Sequence, residues 1–191
     1  VDSQIVRYVS KELIKRDYII KFYFSDKENI IKDIIESDGF DYEKLGFIKT
    51  GILKKIISSL LFLFRLIVKL KKFKPSLIFS PSSKYTGISA KILKIHLICW
   101  ADTETASINL KTSLPFISSL LVSNTFLLEI KKKKKIEYSG YKEIAYCHPN
   151  WFTPDSSVLK ELRIKPNEKI ILIRFSALEA MHDIGDRKSN V

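Results

Sequence analysis

The chain has 191 residues, of which 46% are hydrophobic and 28% are charged. This composition is sufficient for a folded core, and it excludes a chain that is disordered throughout. The length accommodates one domain, or one domain with part of a second. Two cysteines without a CxxC pair exclude a disulfide framework and favour a reducing, cytoplasmic setting.

The net charge of +12 favours polyanionic partners such as nucleic acid, an anionic membrane face or phosphorylated ligands. The chain is, however, rich in Lys and Ile as a general bias of its composition. Few of its lysines alternate with aromatic residues on one face. We therefore expect no nucleic-acid partner.

The first part of the chain alternates helical and extended patterns. Apolar residues at helical spacing predict a helix over 2–16, and residues 18–24 predict a strand. A helix over 27–37 follows, then a turn at Asp38–Gly39 and a short extended piece over 40–45.

A long helix is predicted over 51–70. Its apolar centre, 56–68, is too short to cross a bilayer, which requires about 20 residues. The helix is either buried between the sheet and its neighbours, or 51–72 contacts an anionic membrane surface from the cytoplasmic side. Basic residues flank or interrupt the centre: Lys54, Lys55, Arg65, Lys69, Lys71 and Lys72.

From residue 75 the pattern repeats as strand, polar loop and helix. Strands are predicted over 76–80 and 96–100, with a helix over 84–93 between them. A short apolar segment over 120–123 and a last strand over 136–138 follow, and the lysine run 131–135 predicts a solvated turn. This rhythm predicts an α/β fold, a Rossmann-like parallel sheet with helices on both faces.

The character of the chain changes after Tyr141. Proline-containing segments interrupt regular structure, and Asp155 to Ser157 can cap a short helix over 158–162. Residues 170–175 predict a buried strand that begins a second α/β unit. Because residue 1 is not Met, we expect the chain to be a fragment.

Ligands bind at the carboxyl edge of open parallel sheets, so polar residues that follow strands are candidate site residues. They are Ser25, Asp26, Ser80, Ser82, Ser83, Asp102, Glu104, Ser123 and Asn124. Asp102 and Glu104 face the same way if the backbone is extended. Such a pair can bind a metal, position a sugar hydroxyl or act as a general base, or else cap a helix.

Further candidates lie near the carboxyl end of the chain. His148 is either an acid, base or phosphate donor, or a hydrogen-bonding residue of a linker. Arg174, in an apolar run, either binds an anion at a cleft or pairs with an acid. Asp183 can orient His182. The sequence contains no P-loop, GxGxxG, GxSxG or zinc-ligand spacing, so it predicts no metal or cofactor.

An ordered series of residues resembles a prokaryotic family known as domain of unknown function 354. That family is similar to the superfold of GT-B glycosyltransferases and UDP-N-acetylglucosamine 2-epimerases. The series begins with Lys11-Glu12-Leu13-Ile14-Lys15-Arg16, Lys74-Pro75 and Asp102-Thr103-Glu104, with Asn109 and Pro115. Its strongest part is Tyr138-x-Gly140-Tyr141-x-Glu143-x-Ala145-Tyr146-x-His148-Pro149, followed by Phe152-x-Pro154-Asp155, Arg174-Phe175 and His182-Asp183-Ile184-Gly185.

The resemblance implies two Rossmann-like domains with a cleft between them, the second holding a nucleotide-sugar donor. It divides the chain into an N-terminal domain lacking its first strand (1–145), a linker (146–168) and the truncated start of the second domain (169–191). The histidine loop common in the superfold would be missing, so the fragment alone is expected to be inactive.

The resemblance further implies a glycosyltransferase that binds a nucleotide sugar and an acceptor. Its catalytic residues would be Asp102, Glu104 and His148, and its ligand-binding residues Ser82, Ser83, Gly140, Tyr141, Arg174, His182 and Asp183. A non-hydrolysing nucleotide-sugar epimerase and a non-catalytic binding protein on the same fold are the alternatives.

Overall fold

The computed structural model describes residues 2–26, 29–101, 107–127, 134–142, 144–165 and 168–173. The chain divides into two compact units, Val1–Tyr146 and Cys147–Val191. The first unit contains six strands, all in parallel pairings, among its described residues. This arrangement confirms the predicted α/β class with a Rossmann-like parallel sheet.

The elements of the first unit alternate along the chain. Its helices are α1 (Asp2–Ile14), α2 (Asn29–Ser37), α3 (Ile52–Phe73), α4 (Lys84–Leu93), α5 (Ser107–Ser113) and α6 (Ile144–Cys147), the last crossing the boundary between the units. Its strands are β1 (Lys21–Phe24), β2 (Asp41–Lys44), β3 (Leu77–Pro81), β4 (His96–Trp100), β5 (Ser119–Ser123) and β6 (Lys135–Tyr138). Strands β1 and β2 form one sheet, and β3-β4-β5-β6, in that order, form the other.

One face of the four-stranded sheet is covered by α4 and α5. Side chains alternate across a strand, so Leu97 and Cys99 of β4 point to the same face as Leu120 and Val122 of β5. All four are fully buried, and with Leu110 of α5 they belong to the main hydrophobic core. Burial of this cluster fixes the register of the central strands.

Helix α3 joins the two sheets on this side. Its Leu66 and Leu70 pack against Tyr23 of β1 and Ile78 of β3 in a second cluster. The helix ends at Phe73, and the next residue, Lys74, takes a left-handed conformation (φ 53°) and precedes Pro75. None of the described helices is both long enough and apolar enough to cross a membrane.

Two expectations about the first unit need correction. The strand predicted from residue 18 begins at Lys21, where its pairing with Asp41 of β2 begins, and Tyr18 and Ile19 before it are exposed. The lysine run does not end as a solvated turn, since Lys135 begins β6 and pairs with Glu137 at 2.7 Å. Lys134 donates to the carbonyl oxygen of Leu114 at 2.8 Å. Both lysines are thus held by the folded structure.

The described part of the second unit contains one helix, α7 (Ser157–Glu161). Asp155 Oδ1 accepts a hydrogen bond from the Ser157 amide at 2.8 Å, which agrees with the predicted capping segment. The buried strand predicted over 170–175 is wrong for its described part. Residues 170–173 are not in a strand, and Ile171 and Leu172 are 83% and 92% exposed. An apolar run does not become a buried strand without a neighbour to pair with.

Candidate functional site

A cleft of about 280 Å³ lies on the face of the four-stranded sheet opposite to α4 and α5. It is formed by three parts of the first unit: the carboxyl-terminal halves of the strands, helix α1 and the segment after β6. Its described lining consists of Ile5, Val9, Phe79, Trp100, Leu121, Tyr138, Ser139, Tyr141, Lys142, Ile144 and Ala145. Because all four strands are parallel, their carboxyl ends meet at this edge.

The floor of the cleft is aromatic. Pro81 pairs with Trp100 in the β3–β4 ladder, so Phe79 lies two residues away on the same face as Trp100. Their ring centroids are 4.7 Å apart with an interplanar angle of 46°. Trp100 also pairs with Leu121 of β5. The parallel register therefore packs residues more than twenty positions apart side by side, with Trp100, 7% exposed, on the strand between those of Phe79 and Leu121.

Helix α1 forms one wall of the cleft. Ile5 and Val9 are four residues apart and line it, whereas Arg7 and Lys11 lie on the opposite face of the helix. Arg7 and Lys11 both pair with Asp38 at the end of α2, with 2.8 Å between Lys11 Nζ and Asp38 Oδ1. The hydrogen bond from Arg7, then that from Lys11, lowers the pKa of the Asp38 carboxyl. The position of the wall thus depends on this ion-paired cluster.

The segment after β6 forms the other wall. Gly140 has a φ of +110°, a conformation that favours glycine, and its carbonyl oxygen accepts a hydrogen bond from Ser123 Oγ at 2.7 Å. The amide of Ile144 then donates to the carbonyl oxygen of Tyr141 at 3.1 Å. This tight turn directs the segment back over the sheet and places Tyr141 at the mouth of the cleft, where it is 62% exposed.

The chemistry of the cleft is that of binding through apolar and aromatic surface. Lys142 is the one charged residue in its described lining, and Tyr138, Ser139 and Tyr141 add hydroxyl groups. This combination suits a ligand with an apolar or ring-shaped face and a few polar groups. The described lining contains no carboxylate or imidazole that would serve as general acid or base.

Two of the residues predicted from the sequence belong to this site. Tyr141 lines it, and Gly140 shapes the turn that carries Tyr141. Ser82 and Ser83 lie nearby but outside the described lining. Ser82 Oγ donates to the Trp100 carbonyl oxygen at 3.4 Å, and Ser83 precedes α4 without a side-chain capping bond. The Ser82 side chain therefore holds the loop between β3 and α4.

His148 lies in the second unit, where it organises a turn. Its Nδ1 accepts a hydrogen bond from the Asn150 amide at 3.1 Å, and its carbonyl oxygen accepts from the Trp151 amide at 2.9 Å. The ring is exposed. The remaining predicted site residues lie outside the described residues: Asp102, Glu104, Arg174, His182 and Asp183.

Sequence reasoning missed the aromatic floor of the cleft. The candidates predicted at the carboxyl edge are the polar residues that follow strands, and the floor is aromatic. Trp100 and Tyr138 are the last residues of β4 and β6. The same rule applied to aromatic residues would have found both.

Outside the cleft, the described residues form neither a metal-binding cluster nor an activated cysteine nucleophile. No set of three His, Cys, Asp or Glu side chains there is placed to hold a metal ion. Cys99 is buried, and burial raises the pKa of its thiol to about 11, which makes it a poor nucleophile at neutral pH. A more open cavity of about 420 Å³ lies at the amino ends of β4 and β5, between Lys91, Lys94, His96 and Phe116.

Comparison of the chain with described protein families, with curated proteins and with solved structures gave no match. The geometry of the cleft is therefore the basis of the function proposed below.

Proposed function

We propose that the first unit is the acceptor-binding domain of a GT-B-like sugar-nucleotide enzyme, a glycosyltransferase, and that the cleft binds the acceptor. The observation that supports this proposal is the aromatic surface of Phe79, Trp100, Tyr138 and Tyr141 at the carboxyl edge of a Rossmann-like parallel sheet. The resemblance to domain of unknown function 354 adds the expectation of a sugar-nucleotide reaction.

The lining suits a glycoside for a physical reason. One face of a pyranose ring carries mainly C–H groups, which pack favourably on aromatic rings. The hydroxyl groups of the sugar remain at its rim, where Ser139, Tyr141 and Lys142 offer hydrogen-bonding groups. An apolar aglycone would contact Ile5, Val9 and Leu121.

The catalytic step assigned to this enzyme is displacement at the anomeric carbon. The acceptor hydroxyl oxygen forms the new bond to that carbon, and the bond to the nucleoside diphosphate breaks. A general base takes the hydroxyl proton. In the proposal this base is Asp102 or Glu104, which follow the cleft residue Trp100 by two and four positions in the sequence. The nucleotide-sugar donor would be held by other parts of the enzyme.

A calorimetric titration with aryl glycosides tests the binding site. We expect saturable binding by the wild-type chain, weakened about tenfold in Tyr141→Ala, which removes one aromatic contact. Tyr18→Ala is the matched control, because Tyr18 is 59% exposed against 62% for Tyr141 and is not part of the cleft lining. Equal affinities of the two variants would contradict the assignment of the cleft.

A second experiment separates transfer from the alternatives. A full-length version of the enzyme is incubated with UDP-, GDP- or dTDP-sugars, with and without the glycoside that binds best. Transfer to the glycoside, lost in Asp102→Asn while glycoside binding persists, supports the glycosyltransferase. Conversion of the nucleotide sugar to its epimer without acceptor would identify an epimerase.

A non-catalytic binding protein is the second candidate function. It is favoured by the absence of acid or base groups from the described lining of the cleft. Glycoside binding without any turnover, in a full-length relative that also binds nucleotide sugar, would decide for this alternative.

A further inference from the structure

Helix α3 exposes a continuous apolar stripe. Eight large apolar side chains on this helix are between 48% and 85% exposed: Ile52, Leu53, Ile56, Ile57, Leu60, Leu61, Phe64 and Val68. Seven of them, all except Ile52, fall within an arc of about 140° when drawn at 100° per residue. Isolated exposed apolar residues are common, but a stripe along several turns of one helix marks an interaction surface.

The opposite face of α3 is fixed to the protein. Ser58, Leu66 and Leu70 are buried, and Phe62 contacts the ring of Tyr85 on α4 with a centroid distance of 5.5 Å. Ser58 Oγ also accepts a hydrogen bond from the Lys49 amide at 3.0 Å. These contacts determine the rotation of the helix, so the stripe cannot turn inward without breaking them.

The charges on α3 are of one sign. The helix contains six basic residues and no acidic residue. Lys54 and Lys72 project along one border of the stripe, about 20° beyond Leu61 on the same helical projection. Arg65 lies near this border but donates a hydrogen bond to the carbonyl oxygen of Leu45 at 3.4 Å. Within the described structure, no carboxylate forms an ion pair with Lys54, Lys55, Lys71 or Lys72. Lys69 is different, because it pairs with Glu43.

An apolar stripe bordered by positive charge distinguishes among three possible binding partners. A second copy of the chain would bring two helices of the same positive charge together, which is unfavourable. Nucleic acid would use the lysines but would leave the apolar stripe in water. An anionic bilayer satisfies both, because apolar side chains enter the acyl boundary while basic side chains remain among the head groups.

We propose that α3 lies in the interface of an anionic lipid bilayer, with the stripe facing the acyl chains. The helix is parallel to the membrane in this arrangement and does not cross it. Ile78 of β3 faces α3, whereas its neighbour Phe79 faces the cleft on the other side of the sheet. Membrane docking through α3 therefore leaves the cleft open, and it does not depend on the function proposed for the cleft.

Sedimentation of the whole chain with lipid vesicles tests the proposal. The vesicles are phosphatidylcholine alone, or phosphatidylcholine with about 30% phosphatidylserine, an anionic lipid of cytoplasmic leaflets. We expect binding to the anionic vesicles, little binding to the neutral ones, and a decrease with added salt because the electrostatic part is screened.

Two variants test the residues. Leu60→Ser with Phe64→Ser removes two members of the stripe, and we expect the partition coefficient to fall roughly 50-fold. Lys54→Gln with Lys72→Gln should lower it roughly 30-fold on anionic vesicles only. The matched control is Ile92→Ser with Leu127→Ser, which removes two exposed apolar side chains elsewhere and should bind like wild type.

Circular dichroism melting confirms that each variant is folded, as expected for substitutions at exposed positions. The proposal is overturned if the wild-type chain does not bind anionic vesicles at low salt, or if the stripe variant binds as well as the control. It is also overturned if light scattering shows that the wild-type chain is a dimer, that the stripe variant is a monomer, and that the wild-type chain does not bind vesicles. The partner of the stripe is then a second copy of the chain.

Discussion

Asp38→Asn should loosen the helix that forms one wall of the cleft. The Asp38 side chain is 5% exposed and accepts from Arg7 and Lys11, which are 27% and 40% exposed. The substitution keeps the size of the side chain and removes its charge. Arg7 and Lys11 then lose their partner in a region that is only partly hydrated.

The expected loss of stability is about 2 kcal/mol. Breaking a fully buried pair costs about 3–5 kcal/mol, whereas an exposed pair contributes less than about 1 kcal/mol. The Asp38 cluster lies between these limits, because its carboxylate is buried while both cations reach water. Urea denaturation of the wild type and variant at pH 7 measures the difference.

The direction of the pH dependence follows from the lowered pKa of Asp38. The hydrogen bond from Arg7 lowers the pKa of Asp38 in the folded protein below its value in the unfolded chain. The stabilisation is therefore fully present above the unfolded pKa of about 4, and it is lost as the pH falls through the folded pKa. The difference between wild type and Asp38→Asn should stay constant while the pH is well above 4, and it should shrink as the pH is lowered below about 4.

Glu12→Gln is the matched control for this experiment. It removes a carboxylate from the same helix, where Glu12 pairs with Lys15 in an exposed position. Its effect should be within about 0.5 kcal/mol. A loss below that value in Asp38→Asn, or a difference that does not change with pH, would refute the reasoning.

Three other predictions concern the interior of the first unit and the two thiols. Leu120→Ala should lower the free energy of unfolding by about 3 kcal/mol, because Leu120 is fully buried in β5. A free energy of unfolding equal to that of Leu127→Ala, a substitution at an exposed site, would contradict this. Gly87→Ala should lower it by about 1–3 kcal/mol, since the added Cβ would lie 2.8 Å from Phe116 Cβ; an unchanged melting temperature would show that α4 moves freely. In a thiol titration near pH 8, the exposed Cys147 should react at once. Cys99 should react only on unfolding, because burial raises the pKa of its thiol to about 11. Equal reaction rates of the two thiols would contradict the burial of Cys99 in the core.

The sequence predicts an element correctly where the residues that determine the element lie within it or next to it. Helix α4 and strand β4 have the bounds expected from the sequence, Lys84–Leu93 and His96–Trp100. The polar loop Pro81-Ser82-Ser83 precedes the helix, and the two residues Lys94 and Ile95 separate the helix from the strand. The class of the fold follows from the same local alternation of strands and helices.

The wrong predictions concern segments whose structure depends on pairing with another part of the chain. Residues 170–173 have the composition of a buried strand, but pairing cannot be read from composition. Lys135 enters β6 because it aligns beside Leu120, fifteen residues earlier in the chain. A run of lysines carries no signal for that contact.

The candidate site was only partly predictable for the same reason. Gly140 and Tyr141 are close to a turn that is visible in the sequence. The α1 wall depends on contacts between Arg7 and Asp38, which are 31 residues apart. The aromatic floor depends on the register of β3, β4 and β5, which the structure supplies and the sequence alone does not.

The most direct test of the cleft as the ligand site is backbone amide NMR during titration with an aryl glycoside. We predict that shift changes concentrate at the end of β4, in 138–145 and around Ile5 and Val9. Changes centred instead on Lys91, Lys94 and Phe116, at the opposite edge of the sheet, or no saturable change in a folded protein, would contradict the central claim.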